Sequence, residues 1–269
     1  MAVQVDLYND AYGNFAEAVL AQVRRDTYGE DVGQSSWLTT DEYRRFFAWL
    51  ALAPESLVLD VGSGSGGPAL FMARTVGCRV VGVDINENGI ATANAQAQAQ
   101  GVADQVRFQH IDAGHVLPFA DDTFDAIVCI DAILHIPDRV ATLAEWRRVL
   151  RPGGRILFTD PVVVTGFVTK EELATRSSIG YFLFAPVGAD ERAIQDAGLE
   201  LIRREDVTEN AVQVSKRWHD SRARYRADLI PVEGETTFDG LQQFLAVVHS
   251  LTSERRLSRF VFVAQKGAR

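Results

Sequence analysis

The chain has 269 residues, of which 47% are hydrophobic and 23% are charged, and its formal net charge at pH 7 is −9. This composition is typical of a folded globular protein, and no apolar run approaches the roughly 20 residues that a membrane-spanning helix needs. The acidic balance disfavours a large phosphate-binding surface and therefore argues against a nucleic-acid partner.

The first 53 residues precede the first predicted strand and are rich in aromatic side chains. Asp6, Asp10 and Glu17 interrupt the apolar stretch that a secretion signal would need, so a cytoplasmic location is expected. We predict that region 1–53 forms helices that cover a neighbouring surface as a cap.

From residue 57 onward, short β-branched runs alternate with helical stretches, a pattern typical of a parallel sheet with helices on both faces. Strands are predicted at 57–61, 79–84, 105–109, 124–130, 154–159, 199–204 and 258–264. Helices are predicted between them at 67–76, 86–100, 138–149 and 188–197. The pattern favours one α/β domain over residues 1–269, in which 54–160 is the core and 161–269 completes the sheet.

The connection 206–257 is long for a compact domain, and such connections often serve as active-site lids. We predict helices near 207–229 and 236–251, separated by Pro231 and Gly234. The basic tract KRWHDSRARYRADL in this region is interpreted as a solvated helix face, with a site for an anionic substrate as the sharper alternative.

The stretch VLDVGSGSGGPALFMAR joins a predicted strand to a predicted helix through several glycines. Glycine lets a backbone turn tightly and approach a ligand, and Gly62, Gly64 and Gly67 have G-x-G-x-x-G spacing. Asp84 ends the next strand, twenty residues after Gly64, where a carboxylate can accept both hydroxyl protons of a ribose. These features indicate an adenosine ligand but also fit an NAD(P)-binding oxidoreductase.

Two further aspartates favour a ligand without a pyrophosphate. Asp60 precedes the glycine loop, where a carboxylate attracts an ammonium or sulfonium group and would repel a pyrophosphate, although Asp is also common in turns. Asp112 and Ala113 follow the strand 105–109 at the edge of the sheet. That position suits a hydrogen bond from an adenine amino group, and a simple turn is the alternative.

Four stretches carry a family resemblance: VLDVGSGSGG, VVGVDIN, QHIDAGHVLPFADDTFDAIVCIDAILHIPD and RVLRPGGRILFTD, in this order over residues 56–160. Together they resemble the class I S-adenosylmethionine-dependent methyltransferases. Within that family the chain is similar to the small-molecule branch, which includes sterol C-, sugar O- and glycine or sarcosine N-methyltransferases. The resemblance implies a Rossmann-like sheet of strand order 3-2-1-4-5-7-6 whose last strand is antiparallel, with a helical lid. It also implies S-adenosyl-L-methionine as the cofactor and a small-molecule substrate.

The resemblance further implies which residues bind the cofactor. The methionine moiety is expected at Asp60, Gly62, Ser63 and Gly64, the ribose and adenine at Asp84, Ile85, Asp112 and Ala113, and the sulfonium beside Ile130. The segment GQSSWLT is expected to close over the methionine end through Gln34, Ser36 and Trp37. Trp37 could equally be a core anchor for the N-terminal helices.

Methyl transfer from a sulfonium depends mainly on alignment, and a general base is needed only when the acceptor loses a proton. His135 follows the strand 124–130 at the ligand-binding edge of the sheet, so it is the candidate base and a substrate-binding residue. A packing or capping role is the alternative for this histidine. Tyr181 is a second candidate for the acceptor pocket. No metal site is expected, because the histidines and the two cysteines form no recognisable cluster.

Three alternatives stay open at this point. A protein or nucleic-acid methyltransferase is disfavoured because Asp131-Ala132-Ile133-Leu134 stands where many amino-methylating nucleic-acid enzymes carry an Asn-Pro-Pro-Tyr-like tetrapeptide. An NAD(P)-binding oxidoreductase and a non-catalytic scaffold of the same fold are the others, since a fold does not fix a function. The sequence leaves open which acceptor is used and whether carbon, nitrogen or oxygen is methylated.

Overall fold

A computed structural model describes residues 6–268 of the chain. Its strands are β1 (Leu57–Val61), β2 (Arg79–Asp84), β3 (Val106–His110), β4 (Phe124–Cys129), β5 (Leu150–Val164), β6 (Ala185–Pro186), β7 (Glu200–Asp206) and β8 (Leu257–Gln265). They form one sheet in the order β3-β2-β1-β4-β5-β8-β7, with the two-residue β6 paired to β5.

Strands β1 to β5 pair in parallel, whereas β8 runs antiparallel to both β5 and β7. When the short β6 is left out of the numbering, the order is 3-2-1-4-5-7-6 with the last strand antiparallel. The predicted fold class is therefore confirmed. The central strands are apolar on both sides because each sheet face is covered: Val58 belongs to one buried cluster and Leu59 to the other.

The helices are α1 (Leu7–Gly13), α2 (Ala18–Tyr28), α3 (Thr40–Ala48), α4 (Gly67–Val76), α5 (Glu87–Ala99), α6 (Arg139–Val149), α7 (Lys170–Arg176), α8 (Ala189–Asp196), α9 (Thr208–Arg224), α10 (Arg226–Glu233) and α11 (Glu235–Ser253). Side-chain caps begin two of the helices that flank the sheet. Asn86 accepts a hydrogen bond from the backbone N–H of Gly89, and Asp138 accepts one from Ala141. No helix within residues 6–268 is both long and apolar enough to cross a membrane.

The predicted strands and the helices α4, α5, α6 and α8 are confirmed to within two residues, with one exception. β5 is longer than the predicted 154–159, because its pairing with β8 continues past an irregularity between Asp160 and Val163. The predicted helix 207–229 is wrong: α9 ends at Arg224 and α10 follows. Pro231 lies inside α10, and the break before α11 is Gly234, whose φ of 81° no other residue type adopts readily.

The N-terminal helices and the helices of 206–257 form one layer. Leu7, Tyr28 and Trp37 share a buried cluster with Val214 of α9 and Phe244 of α11. Hydrogen bonds join the same segments, since the Asn210 amide donates to the Trp37 carbonyl at 2.6 Å. This layer and the sheet together enclose the cavities described next.

Candidate active site

A cleft of roughly 1050 Å³, including space open to solvent, lies where β1, β2 and β4 end. Strand order reverses between β1 and β4, and open α/β sheets bind ligands at such a point. Eight of the residues that line the cleft are positions expected from the sequence: Gly62, Asp84, Ile85, Asp112, Ala113, Ile130, His135 and Tyr181. We refer to this space as the cleft.

The loop after β1 requires glycine at two positions. Gly62 and Gly64 have φ values of 71° and 50°, in the left-handed region. A Cβ atom on Gly62 would lie 2.5 Å from the Cβ of Ala132, and one on Gly64 would overlap the Tyr12 hydroxyl oxygen. The bare backbone therefore lets the loop fit between α1 and the segment after β4.

Asp84 is held by backbone groups at the inner edge of the cleft. Its Oδ2 accepts a hydrogen bond from the N–H of Gly64 and its Oδ1 accepts one from Asn86, both at 2.8 Å. Burial raises the pKa of this carboxyl, and hydrogen bonds from the backbone of Asn86, Gly64 and Ile85 oppose that rise. Each carboxylate oxygen has a second lone pair. Asp84 can thus accept from two ribose hydroxyls, and the neighbouring Ile85, 65% exposed, offers an apolar surface to a flat ring.

Asp60 lies behind the glycine loop and not on the cleft surface. The residue is 1% exposed, and its Oδ2 has no hydrogen-bond partner among residues 6–268. Burial, with a smaller contribution from the charge of Asp84, raises the pKa of Asp60 to about 7. Because the pKa of Asp60 is near neutral pH, a positive charge in the cleft would lower that pKa and favour the ionised carboxylate.

Of the remaining residues that the sequence assigned to the cofactor, some line the cleft and others are buried in the loops around it. Asp112 lines the cleft, and its Oδ1 accepts from the N–H of Gly114 at 2.8 Å. Ser63 is buried outside the lining. The Gln34 amide bonds Val32 and Glu30 of its own loop, and the Ser36 hydroxyl lies 3.0 Å from that of Tyr43. Ser35, between them, is the residue of this segment that reaches the cleft.

A second cavity of roughly 370 Å³, which we call the chamber, adjoins the cleft. Five residues line both spaces and define what we call the throat: Tyr8, Ser35, Asp131, His135 and Ile179. The rest of the chamber is mostly apolar and aromatic, with Trp37, Phe182, Trp218 and Phe244 in its wall, and it contains Arg176. A group transferred from the cleft to a molecule in the chamber would pass through the throat.

His135 stands in the throat on a single 3-10 turn, Ile133–His135. Its Nδ1 lies 2.8 Å from the carbonyl oxygen of Tyr181, and its Nε2 lies 2.9 Å from the Tyr8 hydroxyl. Since a carbonyl only accepts, Nδ1 carries the proton and Nε2 is the acceptor. Burial lowers the pKa of His135. The ring is therefore neutral at pH 7, with its basic nitrogen at the throat.

Asp131 is the other fixed group of the throat, and its backbone is strained, with φ of 51°. Its Oδ2 accepts from the N–H of Trp37 at 2.8 Å, while its Oδ1 accepts from Thr159 and from the Nε of Arg259. Every one of these partners is distant in sequence. The carboxylate ties the N-terminal segment to the sheet at the boundary between cleft and chamber.

Sequence reasoning missed Tyr8, Tyr12, Ser35, Asp131 and Arg176 as site residues. The available signals were the aromatic composition of region 1–53 and the position of Asp131 directly after the predicted strand 124–130. No local pattern marked Arg176, because helix α7 was not predicted. Within residues 6–268, no group of three or more His, Cys, Asp or Glu side chains could hold a metal ion.

Comparisons with known proteins agree with this geometry. A family model described as a methyltransferase domain matches residues 59–158. The chain is 32% identical to the 27-O-demethylrifamycin SV methyltransferase of Amycolatopsis mediterranei over 206 residues, which are 74% of this chain and 75% of that protein. It is 39% identical to the methyltransferase GfsG of Streptomyces halstedii over 158 residues, 56% of this chain and 55% of that protein. The similarity thus spans only about half of GfsG.

A solved structure shares the fold at lower identity. The phosphoethanolamine N-methyltransferase 2 of Haemonchus contortus, in complex with S-adenosyl-L-methionine, superimposes with a TM-score of 0.80 and 20% identity. The match covers 95% of this chain and 60% of that chain.

Proposed function

This chain belongs to the class I S-adenosylmethionine-dependent methyltransferases of the small-molecule branch, and we propose that it methylates a hydroxyl oxygen of a largely apolar acceptor. S-adenosylmethionine is the cofactor; when bound, it supplies a methyl group that a nucleophile attacks in line with the sulfonium. The expected cytoplasmic location and the lack of a nucleic-acid partner stay predictions.

We assign the cofactor to the cleft on the chemistry of its lining. Asp84 accepts the ribose hydroxyls, Ile85 covers one ring face, and Asp112 with Ala113 receives the adenine. The glycine loop at 62–64 holds the methionine end above Asp60, with Ile130 beside the sulfonium. Ser63, Gln34 and Ser36 act by shaping the loops around that end, and Trp37 by holding Asp131.

His135 is the observation that carries the proposal of oxygen methylation. It is a neutral imidazole whose unprotonated Nε2 stands between the cleft and the chamber. An acceptor hydroxyl that takes the place of the Tyr8 hydroxyl at Nε2 can give its proton to that nitrogen as the bond from its oxygen to the methyl carbon forms and the methyl carbon–sulfur bond breaks, which would leave S-adenosylhomocysteine and imidazolium. Tyr8 is then a positioning residue that holds the ring while the chamber is empty, and Tyr181 does so permanently through its carbonyl.

The chamber supports an acceptor with an apolar body. Aromatic side chains form most of its wall, and they stabilise a ligand by burying apolar surface. The relative from Amycolatopsis mediterranei is named for methyl transfer to an oxygen of 27-O-demethylrifamycin SV, which supports oxygen as the atom methylated here.

We further propose that the chain is one methyltransferase domain, with 1–53 as cap, 54–160 as cofactor-binding core and 206–257 as the lid. The hydrogen bonds between Asn210 and Trp37, and between Ser221 and Asp26, support joint action of cap and lid. Closure would exclude water from the throat during transfer.

To test oxygen methylation, the protein is incubated with methyl-deuterated S-adenosylmethionine and a panel of hydroxylated molecules that includes 27-O-demethylrifamycin SV. Mass spectrometry should find one label per product, with fragments that place it on oxygen. Asp84→Ala is the matched control: it should lose about 1.5–3 kcal/mol of cofactor affinity, the usual loss for hydrogen bonds to a charged group. Label on carbon or nitrogen would contradict oxygen methylation.

A further inference from the structure

The chamber contains one buried cation whose hydrogen bonds are incomplete. Arg176, the last residue of α7, is 2% exposed, and its Nη1 has no partner in the described part of the chain. The carboxylates of Asp131 and Asp160 raise the pKa of Arg176 through their negative charge, and neither accepts a hydrogen bond from it. The N–H groups of this nitrogen are therefore available to donate hydrogen bonds to a ligand in the chamber.

The other buried arginines are treated differently by the fold. Arg139 pairs with Asp160 and Asp190, Arg259 with Asp131 and Glu42, and Arg222 with Glu233. Burying a charge without a partner is costly, so natural structures pair such groups or let a ligand pair them. Among the four buried arginines of residues 6–268, Arg176 alone makes no ion pair.

Aromatic rings hold the Arg176 guanidinium in place without using its donors. The central carbon lies 4.7 Å from the ring centre of Phe182, 5.1 Å from that of Phe244 and 5.9 Å from that of Trp37. Such contacts stabilise a cation by its attraction to the face of the aromatic ring. The N–H groups at its edge stay free to form two parallel hydrogen bonds with a planar oxygen group.

We propose that Arg176 binds a singly charged oxygen group of the acceptor, such as a carboxylate, inside the chamber. The inference rests on the proposed function, because it assigns a second recognition element to the same acceptor. A single charge is favoured because Arg176 is the one Lys or Arg side chain in the chamber lining, which also contains the carboxylate of Asp131. A dianionic phosphate would lack a second cation and lie near that carboxylate.

The experiment begins with protein saturated with S-adenosylhomocysteine, whose binding is measured first by calorimetry. Failure of that binding would refute the proposed function, not the role of Arg176. Benzoate, benzamide and phenyl phosphate are then titrated as probes of equal ring size. We expect benzoate to bind at least about tenfold more tightly than benzamide, and Arg176→Met to abolish the difference. Arg217→Met removes an exposed arginine of α9 and serves as the control for net charge.

Melting without ligand separates binding from a structural role. Arg176→Met should change the melting temperature little, because the cost of an unpaired buried charge and the gain from the aromatic contacts are lost together. Arg139→Met should lower it, because two aspartates lose their partner. The proposal is overturned by equal wild-type binding of benzoate and benzamide, by tighter binding of phenyl phosphate, or by unaltered benzoate binding in Arg176→Met. A fall in the melting temperature of that variant as large as the fall caused by Arg139→Met would also overturn it, and Arg176→Lys, which keeps the charge but not the paired donors, should retain only part of the benzoate preference.

Discussion

Asp60 and Asp84 are neighbouring carboxyl groups with different surroundings. Asp84 accepts two backbone hydrogen bonds and faces the cleft, whereas Asp60 has an oxygen without a partner and lies behind the loop. The negative charge of Asp84 adds to the effect of burial and raises the pKa of Asp60 to about 7. The ionisation of Asp60 is therefore sensitive to a positive ligand at neutral pH.

We expect the affinity for S-adenosylmethionine to rise with pH through about 7, the pKa of Asp60 in the free protein. Ionised Asp60 attracts the sulfonium, and the protonated form below that pKa does not. S-adenosylhomocysteine lacks the sulfonium charge, so its affinity should change less. Calorimetry between pH 6 and pH 8 measures both. Asp60→Asn should flatten the S-adenosylmethionine curve; an equal slope for both ligands would show that Asp60 does not sense this charge.

His135→Asn should lower kcat by about 10²–10⁴-fold, the usual contribution of a general base, and leave the affinity for S-adenosylhomocysteine nearly unchanged. Burial lowers the pKa of His135 below its ordinary value of about 6.5. The wild-type kcat should therefore rise with pH through a value below about 6.5 and stay constant above it. That acid limb should disappear in the variant. Retention of both kcat and the limb would mean that another group accepts the proton.

At the level of elements, the glycine loop packs closely against helix α1. Gly64 leaves room for the Tyr12 hydroxyl, and α1 is tied to α5 because the Asn86 amide donates to Asn9 at 2.9 Å and Thr92 donates to the Tyr12 carbonyl. The glycine loop, to which we assign the methionine end of the cofactor, therefore also contacts the first helix of the proposed cap. Cofactor binding and cap position should be coupled through this contact.

Gly64→Ala tests the coupling, and Gly101→Ala is its control. Both glycines have positive φ, at 50° and 68°, so each alanine has a backbone cost of about 1–2 kcal/mol. Only at Gly64 would the new methyl group overlap Tyr12, since nothing lies within 4 Å at Gly101. Gly64→Ala should lower the melting temperature more and weaken cofactor binding, and adding Tyr12→Phe, which removes the overlapping hydroxyl, should restore part of the stability. Equal losses at both glycines would show that the contact is unimportant.

For the whole molecule, the sheet could be predicted because its signals are local. The six residues of β2 alone contain the apolar, β-branched pattern that predicts a strand. The family motifs of 56–160 likewise predicted the edge of the cleft that contains Asp84 and Asp112. The throat could not be predicted, because Tyr8 and His135 meet across 127 positions of the chain. No periodic pattern in a sequence predicts a contact between two such distant residues. The boundary between α9 and α10 was missed for a different reason, since Tyr225 carries no helix-breaking signal.

The cap and lid should become more protected together when the site is filled. Trp37 connects them: its N–H donates to Asp131 in the throat, and its carbonyl accepts from Asn210 of α9. A ligand that orders the throat therefore acts on both segments. Hydrogen exchange should show added protection for peptides of 1–40 and 206–257 with S-adenosylhomocysteine plus a substrate identified by the labelling experiment.

The comparison that decides this prediction uses three states: free protein, protein with S-adenosylhomocysteine, and protein with both ligands. S-adenosylhomocysteine alone should protect mainly peptides of 56–135, because its proposed contacts lie along the cleft. The acceptor should then add protection at Trp218 and Phe244, which line the chamber from α9 and α11. Closure is a change in the cap–lid layer, so β5 and β8 serve as an internal reference with little change. Protection confined to 56–135 in the ternary state would show that 206–257 is not a lid and that the acceptor binds elsewhere.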